Sequence, residues 1–441
     1  MTYRFKKFVL LLGDFAALNT ALVITVLIRY ENEVFASRWY EHAPHFLIIS
    51  FIWLLIIYIN GLYNLNLKVS SRKFFRQTAN TTILSTLLSI FYFYLNFQTS
   101  ITPRTNLAIF IVVFLIIFWL WRAFYSAMVH AVIPKANLAI IGFNARTEKL
   151  VEELKNNPGA GYEAALIFKS SEELIDLPAT IKEKNIHAIV VCDDFGQSEN
   201  LREALFSCLA YNLVFFNYPD FYELLTEKVP VEAIGPDWFF ENLKEGQKNY
   251  FNFVKRLTDF ILALLIFIIS LPFWPLFALL IKATSRGPVF FMQIRYGRNE
   301  KTFKMIKFRT MRVSDNNLAP TEVNDNRITA LGSFLRKTRL DEIPQVINIL
   351  KSDMSFIGPR PERPEIVADL EHKIPFYKTR LLIKPGLTGW DQISGHYHSP
   401  SLEDSLEKLQ YDLYYLKHRS LYLDLSIALR TIATMMSSSG R

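Results

Sequence analysis

The sequence predicts a three-part fold: a membrane α-helical N-terminal bundle, a small α/β domain on a parallel sheet, and an α-rich (α+β) membrane-associated C-terminal domain with a re-entrant helix. Three observations predict it. Four long apolar runs fill the first third of the chain. Strand-like and helix-like segments alternate over residues 138–217. A fifth apolar run, Phe260–Ile281, is interrupted by Pro272 and Pro275 and has basic residues on both flanks. The bulk numbers agree. At roughly 100–200 residues per domain, 441 residues allow two to four units. Hydrophobic residues make up 51% of the chain and aromatics 15%, and they come in blocks, the mark of a membrane protein. Cys192 and Cys208 have no metal-like spacing and read as reduced core residues. The first apolar run is too long for a cleavable signal peptide and lacks a small-residue cleavage site.

The four N-terminal spans are expected at Phe8–Ile28, Phe46–Tyr63, Ile83–Phe97 and Leu107–Phe124, within residues 1–130. The third is short and draws on Thr78–Thr82 to approach the roughly 20 residues a span needs. Basic residues set the orientation. Arg4, Lys6 and Lys7 precede the first span, and Lys68, Arg72, Lys73 and Arg76 lie between the second and third. Arg122, Lys135 and Arg146 flank or follow the fourth, whereas the two remaining loops are poor in them or balanced by acids. The positive-inside rule then places the N-terminus, the second loop and everything after the fourth span in the cytoplasm. Asp14 inside the first span is expected to face the bundle or snorkel, in preference to lining an ion path.

Residues 135–220 read as a degenerate Rossmann-like cytoplasmic domain. Strands are expected at Leu138–Ile141, Ala164–Phe168, Ala188–Val191 and Val214–Asn217, with helices near Thr147–Lys155, Ser171–Lys184 and Ser198–Ala210. Gly142 follows the first strand, but the next fingerprint positions are Asn144 and Thr147 where glycines belong, so a regulatory or scaffolding role is expected. Residues 221–250 read as a linker with Pro230, Pro236 and the aromatic anchors Trp238, Phe239 and Phe240.

The fifth run is long enough to cross, but its two prolines remove backbone donors mid-way. Lys248, Lys255 and Arg256 before it, and Lys282, Arg286, Arg295 and Arg298 after it, put the cytoplasmic signature on both sides. The arm before Pro272 reaches about 18 Å, short of a hydrocarbon core about 30 Å thick. A helix that enters the leaflet, bends at Pro272 and Pro275, and returns is therefore expected over 260–281. Carbonyls freed near Ser270 need partners from protein or water.

The stretch Arg336–Glu362 carries the chemistry. Arg336, Lys337 and Arg339 precede the adjacent carboxylates Asp341 and Glu342, and the turn Gly358-Pro359-Arg360-Pro361 follows an apolar run. Adjacent residues on a helix point about 100° apart, so the two acids serve one site only in different roles, one attacking or transferring a proton and the other holding a metal. The surrounding bases suit a phosphate. The prolines beside Arg360 limit where its fork points.

From Lys255 to the end the motifs FFMQIRYG (290–297), FKMIKFRTM (303–311), LDEIPQ (340–345), KSDMSFIGPRPE (351–362) and KPGLTGW (384–390) closely resemble the bacterial polyprenyl-phosphate hexose-1-phosphate transferases. The four spans and α/β domain ahead of them look like the long form of that family. The resemblance implies a phosphoglycosyl transferase catalytic domain at 251–441. It would move hexose 1-phosphate from a UDP-hexose, glucose or galactose foremost, to polyprenyl phosphate with release of UMP, beginning a glycan repeat unit. It implies Asp341 as nucleophile of an aspartyl-phosphosugar, Glu342 as the ligand of Mg²⁺, Arg336 and Arg360 on phosphates, Lys307 in the active site and Pro272 in the hairpin break. The implied location is the bacterial inner membrane, with the site on the cytoplasmic face. The implied partners are the two substrates and the bilayer, with no nucleic acid; a homodimer is compatible with the separate N-terminal module.

Leu271 stands where small members carry Ser, which leaves the group that satisfies the bend open, and Asp391–His396 departs from the pattern of many relatives, which leaves the sugar open. His396 and His398 lack companion ligands and are not expected to bind metal. Leu402–Tyr415 and Leu421–Met436 read as helices on the leaflet surface that also pack on the core, or as a plain buried pair. Two other readings stand against the transferase. An NAD-dependent nucleotide-sugar dehydratase or epimerase needs a glycine fingerprint that is absent. A non-enzymatic assembly scaffold leaves the clustered phosphate-suited residues unexplained.

Overall fold

The computed structural model describes residues 3–30, 35–65, 67–95, 103–132, 135–169, 171–174, 176–192, 199–243, 245–312, 325, 327–394 and 401–436. The chain divides into two compact units, Met1–Tyr218 and Pro219–Arg441.

The first unit opens with four helices: α1 (Tyr3–Arg29), α2 (Phe35–Ile59), α3 (Arg72–Leu95) and α4 (Pro103–Val132). Phe5–Arg29, Arg38–Ile59 and Thr105–Met128 are each long and apolar enough to cross a membrane. The third helix starts eleven residues before its expected run (Arg72 against Ile83) and is the most polar of the four. Its Thr81, Ser85 and Ser89 are buried, with Trp53 donating to Ser89 at 3.0 Å and Asn60 to Thr81 at 2.9 Å. The basic and polar stretch Arg72–Thr82 shortened the apolar run in the sequence, while Thr81, Ser85 and Ser89 serve the bundle interior. Asp14 also faces the bundle, where Arg122 closes on it at 2.6 Å and reaches the Leu62 carbonyl at 2.7 Å. That arrangement is a paired, hydrogen-bonded buried charge. Gly13 lets Trp121 lie against α1, since a Cβ there would fall 1.9 Å from the indole.

The α/β part follows the expected alternation: β1 (Ala136–Ile141), α5 (Ala145–Asn156), β2 (Tyr162–Phe168), α6 (Leu177–Glu183), β3 (Ile186–Val191), α7 (Glu199–Ser207) and β4 (Val214–Asn217). All pairs are parallel, in the order β2-β1-β3-β4. β1 and β3 lie in the middle and are almost wholly buried, as two-sided coverage requires. Cys192 and Cys208 are buried and not joined in a disulfide.

The second unit begins at Pro219, just before the segment expected to be a linker. That expectation is corrected: the segment holds most of α8 (Tyr218–Thr226) and all of α9 (Pro236–Asn242), and its Val229, Val231 and Trp238 share one core with Leu409, Leu413 and Leu416. Their apolar residues are too irregularly spaced to announce a packed element. Next come α10 (Asn249–Ser270) and α11 (Trp274–Thr284), joined by a short 3₁₀ turn at Leu271–Phe273. The backbone stays right-handed helical at Ser270, Leu271, Phe273 and Trp274, so α10 passes into α11 through a tightened turn, and Asn249–Thr284 as a whole is long and apolar enough to cross a membrane. The Ser270 hydroxyl donates to the Phe267 carbonyl at 3.2 Å, which also takes the Leu271 N–H, and accepts the Trp274 indole N–H at 3.1 Å; the carbonyl that Pro275 leaves, that of Leu271, takes the Trp274 N–H.

The rest is a set of short elements: the hairpin β5 (Phe290–Tyr296) and β6 (Thr302–Phe308), α12 (Ala330–Lys337), a 3₁₀ turn at Leu340–Gln345, α13 (Val346–Leu350), β7 (Ser355–Ile357), α14 (Pro364–Glu371), β8 (Gly386–Thr388), α15 (Leu402–His418) and α16 (Leu421–Met436). β7 and β8 pair in parallel. Of the two tail helices, α15 is a core helix, with Leu409, Tyr411, Leu413, Tyr415 and Leu416 buried. On α16, Leu423 and Ile427 are buried, while Leu421, Tyr422 and Leu425 are exposed, as a helix with one core face and one lipid-suited face would show.

Candidate active site

The carboxylate pair sits on the 3₁₀ turn at Leu340–Gln345, not on the α-helix start its spacing first suggests. α12 ends at Lys337, Arg339 turns the chain through a left-handed conformation (φ 55°), and Pro344 inside the turn removes an N–H. At about three residues per turn, Asp341 and Glu342 diverge by about 120°. They therefore meet different neighbours.

Glu342 is held. Lys307 on β6 bonds Oε1 at 2.7 Å, and Arg339 lies 3.7 Å from Oε2. Burial alone would raise its pKa, but Lys307, then Arg360 and Arg339, outweigh it and hold the carboxyl at about 2. Asp341 is free. It is 8% exposed, and among the described residues no other side chain bonds or pairs with its carboxylate. Burial, then the charge of Glu342, raises it to about 6 against the opposing pull of Lys307 and Arg336. One carboxylate is thus locked and ionised, and the other is unengaged and near its titration point.

Arg336 reaches the site from the last turn of α12. Its Nε donates to Thr310 Oγ1 at 3.0 Å and its Nη2 contacts Met311 Sδ at 3.1 Å. Burial lowers its pKa, and the Asp341 charge opposes that shift. Gly332 makes this packing possible, since a Cβ there would lie 1.9 Å from the Thr310 carbonyl. Arg360 is exposed on the turn after β7, and its charge is felt at Glu342. Asp341, Glu342, Lys307, Arg336 and Arg360 are therefore brought together. Pro272 and Pro275 sit at the helix join, whose Trp274 packs edge-on against Phe308, the neighbour of Lys307, in one cluster with Leu340 and Ile343 beside the carboxylates. His396 and His398 lie outside the described residues.

Other residues build the site without any motif to announce them. Asn348 is buried, accepts the Ile306 N–H at 3.2 Å and donates to the Lys304 carbonyl at 2.8 Å. Its amide acts as a strand neighbour and ties α13 to the strand carrying Lys307. Arg256 caps α13 through the Ile349 and Leu350 carbonyls at 2.7 and 2.9 Å. A lone Asn inside the apolar run Val346–Leu350 was the available signal for the first.

The sequence model of the bacterial sugar transferase family matches residues 250–438. A UDP-glucose:undecaprenyl-phosphate glucose-1-phosphate transferase of Xanthomonas campestris pv. campestris is 31% identical over 342 residues, 72% of this chain and 70% of the relative. The chain belongs to the polyprenyl-phosphate hexose-1-phosphate transferases. Another of these transferases, of the same name and from Escherichia coli (strain K12), is 30% identical across 68% of this chain and 67% of its own. A relative from Aeromonas hydrophila, a UDP-N-acetylgalactosamine-undecaprenyl-phosphate N-acetylgalactosaminephosphotransferase, is 34% identical over 53% of this chain and 55% of its own. Residues 58–192 match a model described as a CoA-binding domain. In this transferase, Asn144 accepts the Arg146 and Thr147 N–H groups at 3.0 and 3.1 Å, donors a pyrophosphate at the start of α5 would need. The family match sets the dehydratase or epimerase reading aside.

Proposed function

We propose that this transferase moves hexose 1-phosphate from a UDP-hexose, glucose or galactose foremost, to undecaprenyl phosphate, releasing UMP and beginning a polysaccharide repeat unit. The observation that carries the reading is the split state of the pair: Asp341 unengaged, Glu342 locked. An Asp341 oxygen attacks the sugar-bearing phosphorus, the bond from that phosphorus to the UMP oxygen breaks, and UMP leaves. A phosphate oxygen of the lipid then attacks the same phosphorus and frees the carboxylate. Two anions must meet at each step, so fixed cations are needed to offset the charge. Arg336 and Arg360 hold the phosphates, and Lys307 both orients Glu342 and adds positive charge.

The residues fit a bound Mg²⁺. Glu342 stays ionised, and its Oε2 is not hydrogen-bonded by Arg339 at 3.7 Å. A lone carboxylate suits a cation that takes the rest of its shell from phosphate and water. When bound, Mg²⁺ would neutralise diphosphate charge beside Glu342.

The site faces the cytoplasm of the inner membrane in this reading, and Asn249–Thr284 enters and leaves one leaflet. Three contacts support that. Lys255 pairs with Asp424 at 2.7 Å near one end. Arg309 donates to the Ser285 carbonyl at 2.7 Å beyond the other, and Trp274 in the middle packs on Phe290 and Phe308. Both ends and the middle thus bind one folded unit, and basic residues flank both ends.

The test uses UDP-glucose and UDP-galactose labelled at the β-phosphate. Enzyme without lipid acceptor should retain label on Asp341 and release stoichiometric UMP. Wild-type transfer by Asp341→Asn would defeat the mechanism.

A further inference from the structure

The turn that presents Arg360 has each of four consecutive carbonyls bonded by a separate donor. Gly386 N donates to Pro359 O at 2.9 Å, Arg380 Nη2 to Arg360 O at 3.2 Å, Arg295 Nη1 to Pro361 O at 3.1 Å and Tyr296 N to Glu362 O at 3.0 Å. Pro359 and Pro361 fix φ on either side of Arg360. The backbone is thereby held from β5, from β8 and from the 3₁₀ segment Tyr377–Leu382, while the Arg360 side chain itself stays exposed.

Arg380 differs from the other donors. Its side chain and that of Asp412, 2.8 Å away on α15, are each 1% exposed. It also donates to Tyr377 Oη at 2.6 Å and lies 3.8 Å from Glu362. Glu362 is shared with Arg295 at 3.7 Å. A buried ion pair is seldom a gain in stability over apolar residues of the same size. What this one provides is a guanidinium whose Nη2 lies between Asp412 of α15 and the carbonyl of Arg360 itself, while Nη1 is held by Tyr377.

We propose that Arg380 is a positioning residue for the transfer reaction, acting through Arg360: it sets the direction of the Arg360 guanidinium and so the fit of that group to substrate phosphate. The inference rests on the reading of Arg360 as a phosphate ligand. A ligand displaced by about 1 Å costs about 100-fold in rate, and supporting residues typically cost about 10- to 100-fold when removed.

The test is a double-mutant cycle on the full-length enzyme, with UMP release as readout and thermal unfolding in detergent alongside. Arg380→Lys keeps a cation beside Asp412 but loses the fork that reaches two acceptors. It should lower kcat/KM by about 10- to 100-fold with its unfolding midpoint near wild type. Arg360→Ala should be slower still, and Arg380→Lys/Arg360→Ala no slower than Arg360→Ala alone, because the effect of Arg380 passes through Arg360. Multiplicative losses would overturn the positioning role and leave the phosphate reading intact. Wild-type activity in Arg360→Ala would sink that reading and the inference with it. If Arg380→Lys does not fold, Arg380→Gln/Asp412→Asn, which removes both buried charges together, takes its place in the cycle under the same criteria.

Discussion

The α/β domain and the catalytic unit handle polar groups at the start of a helical turn in opposite ways. At α5, Asn144 turns back and satisfies the first amides, so the end of the parallel sheet is chemically quiet. At the Leu340–Gln345 turn, Asp341 is buried and, among the described residues, bonded by no other side chain, beside a Glu342 that Lys307 holds through one oxygen. The regular part of the chain is locally complete, and the irregular part carries the imbalance on which the chemistry depends.

The largest effect should come from removing that imbalance. Asp341→Asn should lower sugar-phosphate transfer by about 10³-fold or more, measured as UMP release. It should also stabilise the fold at pH 7. In the native site Asp341 titrates at about 6 against an ordinary value of 3.8, so its contribution to stability is present below 3.8 and lost as pH rises through 6. The variant should therefore gain at most about 3 kcal/mol at pH 7 and nothing at pH 3.5, read from unfolding midpoints. Equal stability at both pH values would contradict the burial argument.

Lys307→Met should come next, with a loss of about 100-fold, because Glu342 loses the bond that holds it and the phosphates lose a charge. The pH profile sharpens the same point. Single-turnover UMP release should fall on an acid limb near pH 6, where Asp341 takes up its proton. In Glu342→Gln the residual activity should have that limb at lower pH, since the neighbouring negative charge is gone. A limb that stays in place would mean that Glu342 does not act on Asp341. The smallest effect belongs to the quiet region. Asn144→Ala should cost about 1 kcal/mol of stability and leave transfer within about two-fold of wild type. A large loss of transfer would make the α/β domain part of the chemistry.

Regular elements were legible because periodicity and apolar runs announce them. Strands β1 to β4 and three of the spans stand close to their expected positions. α3 was underestimated because Arg72–Thr82 is basic and polar and looks like a loop, although its Phe74 and Thr81 are buried. The supposed linker was misread for the converse reason: Val229, Val231 and Trp238 are too sparse to form a pattern, yet α15 gathers them into a core. At the site, Asp341, Glu342, Lys307, Arg336 and Arg360 were readable as charges among ordered motifs. Asn348 and Arg380 were not, since each works on main-chain carbonyls and amides whose positions follow only from the folded path.

Phe308 is gripped by Trp274, Phe277 and Phe290, and the residue before it, Lys307, grips Glu342. One peptide unit therefore links the apolar helix to the electrostatics of the carboxylate pair. Such a linkage has almost no slack, because a trans peptide spans about 3.8 Å and does not stretch. A tilt or piston movement of the helix that carries Phe308 along would displace the backbone from which Lys307 reaches Glu342.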